Sequence, residues 1–110
     1  MARNTTTYQE DLVEALKDPH EAAAYLNAAM EEDDRALFLL ALRNVAEAHG
    51  GMSAVSAKAR LNRESLYRML SHKGNPEIKS IFTLLHSMGL KLKIEPKGKP
   101  AKSSKIKKAA

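Results

Sequence analysis

The residues best suited to chemistry fall together in "NRESLYRMLS": Arg63, Glu64, Ser65, Tyr67 and Arg68 lie within six consecutive positions, with Lys73, Asn75 and Lys79 shortly after. A guanidinium at such a place can donate two hydrogen bonds to a guanine edge, and a carboxylate can accept from a cytosine amino group. Glu64 could equally orient Arg63 or Arg68. Ser65, Lys73, Asn75 and Lys79 suit phosphate contacts, with the amides at helix ends helping. This is the chemistry of reading a duplex. It requires that Asn62 cap a helix, so that Arg63 and Glu64 occupy its exposed first turn and Tyr67 and Arg68 lie one turn further on the same side. The plainer alternative is a solvated helix face, in which Glu64 and Arg68, four apart, form a weak pair and Tyr67 packs on its own helix.

Positioning those side chains needs a second helix, and "MSAVSAKARLNRESLYRMLS" supplies the pattern. A helix-turn-helix needs a small residue where the helices cross, an apolar residue in the turn, a cap, and apolar residues on the buried side of the second helix. Ser56, Leu61, Asn62, and Leu66 with Met69 or Leu70 meet these needs. Ahead of the unit, "ALFLLALRNVAEAHGG" places Phe38, Ala41, Leu42 and Val45 at helical spacing, with Gly50 as its left-handed stop. Tyr8, Leu12, Val13 and Leu16 indicate a helix ended by "KDP", and Asp18 with Pro19 opens the Ala-rich "HEAAAYLNAAM". Behind the unit, Asn75 and Pro76 read as a cap and first-turn proline for a helix whose apolar face is Ile78, Ile81, Leu85 and Met88. In "LKLKIEP" the period changes to two, which predicts a half-buried strand at residues 90–94 that must pair with another strand.

The predicted fold is therefore all-α: a helix-turn-helix, lambda-repressor-like domain at residues 35–95 with a short terminal strand. Residues 1–34 form an acidic helical arm, and residues 96–110 a disordered basic tail. The charge is split accordingly. Residues 1–35 carry three basic and nine acidic side chains, whereas residues 36–110 carry fifteen basic and four acidic. A basic segment attracts polyanions, while an acidic one suits a cationic protein surface.

The absence of cysteine excludes disulfides and thiolate metal sites and fits a cytoplasmic location. No apolar run predicts a membrane span, and none follows Met1 as a signal peptide would require. His20, His49, His72 and His86 share no metal-ligand spacing. No nucleophile elbow, phosphate loop or carboxylate pair is present, so neither an enzyme nor a cofactor is expected.

In the order of its features, "GGMSAVSAKARLNRESLYRMLSHKGNPEIKSIFTLLHSMGLKL", preceded by "LKDPHEAAAYLNAAMEEDD", resembles the addiction module antidote family of HigA-like antitoxins related to XRE-type repressors. The likeness covers residues 8 to 95. It implies a protein that neutralises a small RelE/ParE/HigB-like toxin and represses the operon encoding both, with Arg63, Glu64, Tyr67 and Arg68 on the recognition helix. A homodimer on palindromic operator DNA would follow, and residues 10–34 are the expected toxin-binding segment. The chain departs from the family pattern at Arg60, where glycine is usual, and at Ser56, where alanine is usual. A left-handed non-glycine residue costs on the order of 1 kcal/mol, and a buried Ser56 hydroxyl must return a hydrogen bond to the preceding turn. The rival readings are a stand-alone XRE-type repressor without a toxin and a pure protein-interaction module.

Overall fold

A computed structural model describes residues 7–98; the predicted tail from residue 99 onward lies outside them, as do residues 1–6. They form six helices, α1 (Tyr8–Ala15), α2 (Pro19–Glu31), α3 (Arg35–Ala48), α4 (Met52–Ala59), α5 (Arg63–Met69) and α6 (Ile78–Ser87), and no strand. All-α is the right class.

Helices α1, α2, α3 and α5 begin where the sequence supplies a side-chain acceptor, whereas α4 and α6 follow Gly51 and Glu77 without one. Thr7 and Glu10 build a full capping box on α1: the Thr7 hydroxyl accepts from the Glu10 N–H at 3.0 Å, and the Glu10 carboxylate from the Thr7 N–H at 3.1 Å. Asp18 caps α2 through the His20 N–H at 2.8 Å, with Pro19 in the first turn, and Asp34 caps α3 through the Leu37 N–H at 3.3 Å. Helix α3 stops at Gly50, whose φ of +106° lets the Gly51 N–H return to the Ala46 carbonyl at 3.1 Å.

The centre of the molecule is α3, which α1 and α2 cover on one side while α4 joins it to α5 and α6. Leu39, Leu42, Val45, Val55, Leu66 and Leu84 are essentially sealed from solvent. Burying one such side chain contributes about 1.5–3 kcal/mol, so these residues dominate the stability. Helix α2 has few large apolar groups, yet it docks by one of them, Leu26, flanked by the small Ala22 and Ala29, all three buried. Met30, at 42% exposure, is not.

A polar contact that the sequence did not advertise ties the first three helices together. Asn44, 7% exposed, accepts from Gln9 Nε2 at 2.9 Å and donates to the Tyr25 hydroxyl at 2.8 Å. Asn44→Ala should cost about 1–3 kcal/mol because it strands both partners in a half-buried site, seen as a lower thermal midpoint.

Two expectations at the C-terminal end are corrected. Helix α6 starts at Ile78 with Glu77 as its cap residue, not at Asn75–Pro76; the Asn75 side-chain oxygen instead accepts from Arg35 Nη1 at 3.3 Å. Ile78 consequently sits at the helix edge and is 61% exposed, while Leu84 joins Ile81, Leu85 and Met88 in the core. Residues 90–94 pair with no strand among the described residues. The segment uses its alternation differently. The Leu90 N–H closes α6 on the Leu85 carbonyl at 2.8 Å, and Leu90 and Leu92 pack against the core as partly buried side chains.

Candidate nucleic-acid interface

Helices α4 and α5 pack directly on each other, joined by residues 60–62. Arg60 occupies the left-handed region at φ 58°, ψ 43°. That conformation lets the Leu61 N–H reach the Ser56 carbonyl at 2.9 Å and the Arg60 N–H reach the Ala57 carbonyl at 3.2 Å, which ends α4 abruptly. Arg60→Gly should raise stability by roughly 0.5–1 kcal/mol, the relief of steric strain being partly offset by added freedom in the unfolded chain; chemical denaturation reads the sign. Ser56, buried at the helix crossing, donates its hydroxyl to the Ser53 carbonyl at 3.0 Å. The burial cost anticipated for this hydroxyl is met as expected.

The Asn62 side chain accepts from the Ser65 N–H at 3.0 Å and starts α5. Seven residues cannot hold a helix in isolation. Leu66 and Leu70, at 0% and 2% exposure, clamp it to the core. With those two leucines buried, α5 leaves Arg63, Glu64, Tyr67 and Arg68 exposed and Ser65 half-buried.

Among these, Arg68 Nη2 donates to the Ser65 hydroxyl at 3.3 Å. Arg68 does not pair with Glu64: among the described residues the one ion pair is Lys17 with Glu14, 2.9 Å apart on α1 and the residues just after it. The weak i,i+4 pair that would have accounted for both residues is thus absent. Arg63 and Glu64 are free of side-chain hydrogen bonds among the described residues. Lys73 and Lys79 are exposed, on the turn after α5 and on α6. Asn75 keeps its amide donors while its oxygen accepts from Arg35. Gly74 holds this turn against the end of α5, where a Cβ would run into the Met69 carbonyl.

The sequence reading missed two arginines. Arg43 of α3 places its guanidinium 5.7 Å from the centre of the Tyr67 ring, a cation–π contact that fixes the ring beside α5. Arg35 anchors the following turn through Asn75. Arg43 was visible as the lone charge in "ALFLLALRNVA"; its partner, 24 positions away, was not.

The arrangement presents cations, one carboxylate and an aromatic ring on a short rod. No group of three or more His, Cys, Asp or Glu residues able to hold a metal occurs among the described residues. No helix there is long and apolar enough to cross a membrane.

A family model described as "Probable addiction module antidote protein" matches residues 6–96, most of the chain. The chain belongs to that family. An addiction module antidote supports an antitoxin role, with a toxin as its partner, and points to a regulatory rather than a catalytic protein. This antidote-family chain is also similar to an uncharacterized protein of Haemophilus influenzae, 33% identical over 85 residues that make up 77% of this chain and 87% of that one. No solved structure matches the chain.

Proposed function

We propose that this antidote-family protein is a DNA-binding antitoxin: it neutralises a RelE/ParE/HigB-like toxin and, as a homodimer, represses its own operon by setting α5 in the major groove of a palindromic operator. The observation that carries this reading is the solvent-exposed surface of α5. There Arg63, Glu64, Tyr67 and Arg68 stand exposed on a helix whose start is fixed by Asn62. Arg63 and Arg68 would donate to base edges, Glu64 would accept from or orient them, and Ser65, Lys73, Asn75 and Lys79 would hold phosphates. The unpaired state of Glu64 supports this, since a side chain without an internal partner is available to an outside one.

The toxin would meet the acidic helices. Between residues 10 and 34 every Asp and Glu is exposed. A groove of about 510 Å³ beside them runs between α2 and the segment after α6, lined in part by Met30, Glu31 and Phe38. A basic toxin would be steered there. Removing residues 1–34 is a poor test, because Leu16, Ala22 and Leu26 belong to the core. Reversing surface charge is cleaner. Glu31→Lys with Glu32→Lys should slow association with the toxin encoded by the adjacent reading frame by roughly tenfold at low salt, without lowering affinity for operator duplex. Association rates measured on an immobilised toxin decide it. An unchanged rate removes α2 from the toxin contact.

A further inference from the structure

Helix α3 exposes a row that its packing within one chain leaves unused. Asp34, Leu37, Leu40 and Arg43 stand three residues apart and line, with Leu70 and His72, a groove of about 350 Å³ between α3 and the end of α5. Leu37 and Leu40 are 37% and 50% exposed on a helix whose other leucines are fully buried. The row is acidic at one end, apolar in the middle and basic at the other.

We infer that this groove is where two copies of the chain pair, across a two-fold axis passing between Leu37 and Leu40, with Asp34 of each copy facing Arg43 of the other. A two-fold contact must be self-complementary, because the same patch serves both partners. Few surface rows satisfy that demand. This one does, since reversing it places acid on base and leucine on leucine, giving an apolar centre with charges at the rim. The end groups are also available. One Asp34 oxygen caps α3, leaving the other free, and the Arg43 guanidinium, 5.7 Å from the centre of the Tyr67 ring, donates no side-chain hydrogen bond among the described residues. Because the row follows every third residue, the two α3 helices would cross steeply rather than run side by side. The inference deepens the homodimer proposed above by naming its surface. It is read from mass alone, so it can fail while duplex binding stands, and the reverse.

The test is sedimentation equilibrium of the full chain. The wild type is expected at twice the 12.1 kDa chain mass. Leu40→Glu, at a half-exposed position, should keep its helical circular dichroism yet weaken the dimer by at least about a hundredfold. Asp34→Lys and Arg43→Glu should each be monomeric alone, and their equimolar mixture should recover the dimer, because every contact between the two variants is again acid on base. A wild type that stays at 12.1 kDa overturns the proposal, as does a folded Leu40→Glu that still dimerises, or folded charge variants that do not rescue each other when mixed. Should Asp34→Lys unfold for want of its cap, Leu40→Glu decides alone.

Discussion

Replacing Arg63 and Arg68 together with alanine is expected to lower affinity for operator duplex by a hundredfold or more at fixed salt, with toxin inhibition unchanged. A good bidentate arginine–base pair discriminates by about 1–3 kcal/mol, and tenfold in affinity corresponds to about 1.4 kcal/mol, so losing two reaches that range. Each single variant should show part of the loss. Stability should hardly move, because both side chains are exposed and the one internal bond between them and the rest of the protein is Arg68 to Ser65 on the same helix. Salt dependence separates base reading from phosphate binding. If the arginines only neutralise phosphates, binding to unrelated duplexes weakens equally and the salt slope falls by about one per charge. If they read bases, operator binding falls further than non-specific binding.

Leu66→Ala should produce the largest structural effect, a loss of about 2–5 kcal/mol, which for a domain of this size lowers the thermal midpoint by on the order of 10 °C or more. Leu66 is completely buried and is the one buried residue within α5 itself. Its removal leaves a cavity and loosens a helix too short to persist unaided. The matched control is Tyr67→Ala one position on, which loses a half-exposed ring and its contact with Arg43 and should cost much less. Melting curves of the two, followed by circular dichroism, give the comparison. Similar losses for both would mean that α5 is not held as its packing indicates.

What was legible in the sequence was whatever depends on near neighbours. Asp18–Pro19, Gly50 and Asn62 act at short range, and all mark helix ends where they were expected to. Thr7 and Glu10 carried an equally plain capping-box spacing that the reading passed over. What was not legible depends on residues far apart in the chain. Asn75 has the local pattern of a cap, but Arg35, forty positions away, takes its oxygen and the helix begins later. The alternation of residues 90–94 held for Leu90 and Leu92, which turn inward, but not for Ile94, which is 90% exposed. Alternation records which side is buried, however, and not whether a backbone partner exists. For the candidate site, the cap, the buried anchors and the exposed positions followed from helical spacing. The Arg43–Tyr67 contact and the Asn44 network did not, because they arise only when α1, α2 and α5 meet on α3.

The central claim is that the leading edge of α5 is the surface a duplex meets. Its most direct test is the set of backbone amide shifts in isotope-labelled protein on titration with duplex from the region preceding its own gene, at one salt concentration. The largest shifts are expected from Asn62 through Arg68, with smaller ones at Lys73, Asn75 and Lys79, and the α2 amides still. Shifts concentrated on α2 with α5 unmoved would contradict the account.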